Sequence, residues 1–162
     1  MQRRALLAAT AALAARPASA QAGGDPRLRP IARSGERVPV VGLGTWIAFD
    51  VPAADAPSLA RRREVLARFF AGGGRLIDSS PMYGRAEAVL GELLPQVPGA
   101  ERLYCATKVW TPIGPYGPTQ MERSLRLWGR PRADLMQVHN LLAADAHLPT
   151  LRRWRAEGRI RH

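Results

Sequence analysis

Apolar residues recur along this chain in two alternating formats, short continuous runs and stripes at helical spacing. The runs lie near 38–43, 75–79, 103–109 and 134–139. Each is short and apolar, as a strand buried on both faces should be. The stripes lie near 56–71, 86–95, 118–129 and 148–157. In the first, Leu59, Val65, Leu66 and Phe69 or Phe70 fall roughly on one side, and Gly72 to Gly74 end it with residues that tolerate left-handed geometry. In the second, Val89, Leu90, Leu93 and Leu94 precede Pro95, which stops it. The third opens after Pro118 and Thr119, a first-turn and cap pair in inverted order, and closes at Gly129. The fourth sets Leu148, Leu151 and Trp154 three apart and also ends at glycine.

Run and stripe alternate four times, at a spacing near thirty residues. One strand, one helix and two short loops occupy that length in a βα unit, so the pattern predicts an α/β fold with a parallel sheet. The spacing also relates three polar residues. Asp78 ends the run RLIDSS, Lys108 ends LYCATKVW, and His139 ends DLMQVH. They stand at equivalent places on consecutive strands. In a parallel barrel the C-terminal ends of the strands open on one face, which carries the chemistry. Tyr83, five residues beyond Asp78 in the loop that runs on through Pro81 to Gly84, overhangs the same face.

Lys108 is the only lysine of the chain; the other basic residues are arginines and three histidines. A codon bias towards arginine is one explanation. The other is a position that needs a compact, tunable ammonium and not a guanidinium fork. A phenol holds its proton near pH 10, too tightly for a good acid at neutral pH. A neighbouring ammonium lowers that value, so Lys108 would activate Tyr83, with Asp78 pairing to Lys108 and orienting it. His139 would donate a hydrogen bond to a substrate oxygen. The set suits proton delivery to a carbonyl, and the hydride must then come from a cofactor.

Four blocks together resemble the aldo-keto reductase family in order and spacing: GLGTW from Gly42, the stretch from Ile77 to Leu94 that closes with PMYGRAEAVLGELL, TKVW from Thr107, and SLRLWGRPRADLMQVHN from Ser124. The resemblance spans roughly Val38 to His162. It implies a (β/α)8 TIM barrel that binds NADPH or NADH and reduces an aldehyde or ketone, a small-molecule carbonyl substrate. It carries the family's catalytic tetrad onto Asp78, Tyr83, Lys108 and His139. It places Gly44, Thr45 and Asp78 on the cofactor side, and Trp46, Trp110 and His139 at the substrate pocket. Where the family often has an aromatic residue after the catalytic histidine, this chain has Asn140.

A barrel of this kind needs about 250 residues, and the sequence has 162. The expectation is the first four βα units, half a barrel, with strand five being entered at WRAEGRIRH. Such a half would expose unpaired edges and self-associate. Two rival readings stand beside the reductase: a truncated, inactive reductase-like fragment or binding module, and a Schiff-base aldolase using Lys108 as nucleophile.

The domain plan is a leader at 1–20, a linker at 21–37 and the half barrel at 38–162. Arg3 and Arg4 precede an alanine-rich apolar run from Ala5 to Ala15, and Ala18-Ser19-Ala20 has a peptidase-site pattern. This resembles a twin-arginine signal peptide, with Gln2 where a serine or threonine is usual, and implies export to the periplasm. The run is too short to remain as a membrane anchor. The segment IARSGERVPVVGLG is expected to hold a hairpin that closes the barrel bottom.

The net charge is +11. Its arginines are scattered over every helix, with clusters at Arg61 to Arg63 and at Arg152, Arg153 and Arg155, and no nucleic-acid motif accompanies them. Solvated helix faces explain the charge, and no nucleic-acid partner is expected. Cys105 reads as a core thiol, Trp128 and Trp154 as packing residues, and His147 and His162 as residues without an identifiable partner. No metal-ligand spacing is present.

Overall fold

The computed structural model describes residues 28–162. The predicted leader, and the part of the linker before Leu28, lie outside the described residues. The chain opens with an antiparallel hairpin of β1 (Leu28–Pro30) and β2 (Arg37–Pro39). Then come β3 (Leu43–Gly44), α1 (Ala56–Ala71), β4 (Leu76–Asp78), α2 (Ala86–Leu93), β5 (Tyr104–Val109), α3 (Gly117–Leu127), β6 (Leu135–Val138) and α4 (Ala144–Ala156). Strands β3 to β6 form one parallel sheet in sequence order, each neighbour separated by a helix. This is the predicted α/β architecture, a partial barrel of four βα units.

Local chemistry sets the helix bounds. The Asp55 carboxylate accepts the Ser58 amide at 3.0 Å and caps α1, with Pro57 in the first turn. Ser58, through its side chain first and this amide second, holds the Asp55 carboxyl below the usual carboxylate range. Leu59, Leu66 and Phe70 form the buried stripe, while Val65, expected on it, is 45 % exposed. After α2 the backbone tightens into a 3-10 turn at Leu94–Gln96 that accommodates Pro95. Helix α3 begins at Gly117, not after Thr119, and no side chain caps it. Helix α4 begins at Ala144, a full turn before the predicted start, and carries Pro149 inside it. Leu151, Trp154 and His147 are buried along it, and their packing offsets the backbone bond that Pro149 cannot make.

Two apolar layers lie between sheet and helices. One joins Leu66, Phe70, Ile77, Val89, Leu90 and Trp128; the other joins Val109, Met121, Met136, Leu151, Trp154 and Ile160. Helices α2 and α3 approach so closely that a Cβ on Gly91 would stand 1.7 Å from the Leu127 carbonyl oxygen. Cys105 is fully buried in the first layer, and burial pushes its thiol pKa far up.

The predicted fifth strand is being entered at residues 159–162. Ile160 bridges Ala133 in parallel, and the amides of Arg161 and His162 donate to the carbonyls of Ala133 and Asp134. At this lower end the hairpin is tied in by charge. Glu36 pairs with Arg161 and with His162 Nε2, the latter at 2.7 Å, and Arg161 also reaches Asp134 at 2.8 Å. His162 thus has the partner that its sequence context does not reveal. The hairpin starts at Leu28, earlier than the segment expected to hold it. Beside it the Tyr104 phenol is pushed up to about 12, first by burial and then by Glu36 and Asp134.

Candidate active site

Strand register decides which side chains share a face. Asp78 pairs with Ala106, and Lys108 pairs with Gln137. Lys108 is therefore two residues beyond the partner of Asp78, and His139 two beyond the partner of Lys108. An offset of two preserves the side of the sheet, so Asp78, Lys108, Gln137 and His139 project together. The structure brings the four predicted tetrad residues onto one face, at the C-terminal ends of the strands.

At the centre the Lys108 ammonium donates to Asp78 Oδ2 at 2.5 Å and to the Ser79 carbonyl at 2.8 Å. Lys108 is 8 % exposed. A charge so far from water is tolerable only when paired, and Asp78, about a third exposed, supplies the partner. Gln137, which the sequence reading passed over, donates to Asp78 Oδ1 at 2.8 Å and fixes the carboxylate plane. Its position two residues before His139 is the signal that could have found it.

Tyr83 stands above this pair. Lys108 Nζ lies 5.4 Å from the centre of its ring, and no hydrogen bond joins the ammonium to the phenol. The phenol pKa is raised, first by burial and then by the Asp78 charge. This corrects the expectation that Lys108 lowers it. The ammonium arrives as half of an ion pair, so its field at the phenol is largely cancelled by Asp78, and desolvation prevails.

The Tyr83 loop is held by a second carboxylate outside the predicted set. Asp50 accepts the Arg85 amide at 2.9 Å. Gly84 has φ +56°, and a Cβ there would meet the Asp50 carboxylate at 2.4 Å. Glycine is required at this position on both counts.

His139 packs edge-on against Tyr83, with ring centres 5.6 Å apart, and its Nδ1 lies 2.7 Å from Ser80 Oγ. Burial, followed by the Lys108 charge, lowers its pKa below the ordinary 6.5, so the imidazole is neutral at pH 7. Trp46 is 63 % and Trp110 38 % exposed. Trp46 lies 6.5 Å from Tyr83, and Trp110 lies 6.4 Å from His139, ring centre to ring centre. Both flank the face and neither belongs to the core. The backbone turns sharply after His139, where Asn140 and Leu141 have φ of 53° and 56°. Asparagine is among the side chains that adopt this left-handed region most readily.

Thr45 is fully buried, and its hydroxyl is within bonding distance of the Asp78 carbonyl and Ser79 Oγ. It fastens the ends of β3 and β4 together and does not reach into the opening. Gly44, by contrast, would place a Cβ in open space, with nothing within 4 Å. His147, read as partnerless, is buried and makes a 2.8 Å bond to the Thr111 carbonyl. Among the described residues no cluster of metal-ligating side chains occurs, and no helix is long and apolar enough to cross a membrane.

Three or four polar side chains around one opening are a weak identifier, but a family comparison covers the whole partial barrel. The aldo/keto reductase family model matches residues 40–162. The chain belongs to the aldo-keto reductase family. Among solved structures, an aldo-keto reductase from Pseudomonas aeruginosa is 27 % identical with a TM-score of 0.67, over 86 % of this chain and 59 % of that one. A thermostable aldo-keto reductase in complex with the inhibitor epalrestat shares the fold with a TM-score of 0.71 at 23 % identity, over 84 % of this chain and 52 % of that one. One from Klebsiella pneumoniae, in complex with NADP and acetate, aligns with a TM-score of 0.62 at 23 % identity, over 79 % and 45 %. This aldo-keto reductase chain therefore spans about half the length of the structures it resembles. No curated protein matches it.

Proposed function

We propose that this chain supplies the catalytic face of a nicotinamide-dependent carbonyl reductase, with Tyr83 as proton donor. The observation that carries the reading is the half-buried Lys108–Asp78 pair beneath Tyr83 and beside His139. In this reading the phenol gives its proton to the substrate oxygen while His139 holds that oxygen by a hydrogen bond. Lys108 and Asp78, paired to each other, fix the floor of the site beneath the phenol. Trp46 and Trp110 wall the opening against water and suit a small carbonyl with an apolar substituent.

The Klebsiella pneumoniae relatives are complexes with NADP and NADPH, and a nicotinamide nucleotide, NADPH or NADH, is the cofactor proposed here. The residues present fit its reactive end. Gly44 leaves the end of β3 without a side chain, directly in register with Asp78. Bound there, the nicotinamide would supply the hydride. Gly44 and Asp78 would be the residues that hold it.

A Schiff-base role for Lys108 is disfavoured by the same geometry. A 2.5 Å contact with a carboxylate stabilises the protonated amine, which is not a nucleophile. The deciding experiment is Tyr83→Phe, assayed by NADPH oxidation with a reactive aldehyde in an assembly that contains the complete barrel. Reduction is expected to fall by at least 10²-fold, within the usual contribution of a positioned acid, while nucleotide binding persists. Unchanged turnover would remove Tyr83 from the chemistry.

A further inference from the structure

Ser80 is fully buried on the active face, and the chemistry proposed above gives it no task. Its hydroxyl has two neighbours at bonding distance, His139 Nδ1 at 2.7 Å and the Met82 amide at 3.2 Å. A serine hydroxyl has one proton to give and two lone pairs to share. The Met82 N–H can only donate, so it occupies a lone pair. Were Nδ1 also protonated, Ser80 would accept twice, and its own proton would be buried without a partner among the described residues. Buried polar hydrogens are rarely left so. With Ser80 donating to a bare Nδ1, every group is paired.

A neutral imidazole carries one proton, so filling the lone pair of Nδ1 leaves that proton on Nε2. No described residue accepts from Nε2. The ring is held between Tyr83 and Trp110, and the charged groups that act on it are Lys108 and Asp78. We propose that Ser80 is a positioning residue that fixes His139 as its Nε2–H tautomer, so that the ring presents a donor to an oxygen atom on the Tyr83 face. The identity of that oxygen rests on the reductase reading; the tautomer does not. The opposite tautomer would turn a lone pair towards the carbonyl oxygen and repel it.

The test is magic-angle-spinning 15N spectroscopy of the full chain labelled with 15N-histidine at pH 8, which reads ring protonation whether the protein is soluble or assembled. His139→Gln identifies the His139 signals against those of His147 and His162. Expected are an unprotonated Nδ1 and a protonated Nε2 in the wild type, a mixed tautomer population in Ser80→Ala, and return to the wild-type pattern in Ser80→Thr. A wild-type proton on Nδ1 overturns the proposal by itself, even if no variant folds. A folded Ser80→Ala with the wild-type pattern overturns it equally. These spectra need no substrate, so absence of carbonyl reduction would count against the reductase reading alone.

Discussion

The acid strength of Tyr83 follows from what surrounds a single phenol. Its pKa is displaced upwards from 10.0 by burial and by Asp78, and that of His139 downwards from 6.5 by burial and by Lys108. The phenol therefore keeps its proton to above pH 10, and the imidazole stays neutral to below pH 6.5. If these two groups act as proposed, kcat/KM for carbonyl reduction is expected to be flat between those limits and to fall outside them. A basic limb with its midpoint near pH 8 would show instead that an ammonium activates the phenol. Gly84→Ala tests the same residue through its loop. The substitution places a Cβ into the Asp50 carboxylate at a left-handed backbone position, with an expected loss of about 1–3 kcal/mol read by urea titration and a lower kcat. Asp78, Lys108 and His139 were legible because the strand spacing sets all three at strand C-terminal ends, while the register that turns them to one side is seen only in the sheet. The state of Tyr83 was not, because it depends on whether the ammonium arrives alone or already neutralised.

Among the elements, α2, α3 and β5 are joined by one buried carboxylate. Glu87, 2 % exposed, accepts from the Thr107 hydroxyl at 2.5 Å, the Ser124 hydroxyl at 2.9 Å and the Trp128 indole at 3.1 Å. Thr107 precedes Lys108 on β5 and points to the opposite side of the sheet. The strand that delivers the ammonium is thereby fastened from behind. Glu87→Ala strands three buried donors, each worth about 1 kcal/mol or more when left unmade, so a total loss of about 3–5 kcal/mol is expected; a change under 1 kcal/mol in denaturant unfolding would discount the network. Periodicity placed α1 at its observed bounds from the apolar stripe and the glycines that end it, although Val65 falls off that stripe. It could not find Glu87, whose partners lie 20, 37 and 41 residues away. It also placed the start of α4 late, because Pro149 reads locally as a first-turn residue and only tertiary packing makes it an interior one.

As a whole, the described sheet is open. Strand β3 has a neighbour on one side alone, and residues 159–162 lie against the outer edge of β6. A polypeptide of residues 21–162 produced by itself is expected to self-associate through these edges and to oxidise no NADPH with an aldehyde. Light scattering and a spectrophotometric assay check both; a stable monomer that turns over substrate would count against the reading. The charged clasp beneath the sheet has a consequence in time. Glu36 meets His162 across a separation of 126 residues. At a synthesis rate of ~5–20 residues per second, the hairpin emerges roughly 6–25 s before its partners exist. The hairpin, first of the described elements in chain order, is thus among the last of them to be locked. Until then, its two short strands carry their own paired backbone and little else, so the closing of this end of the molecule waits on Arg161 and His162.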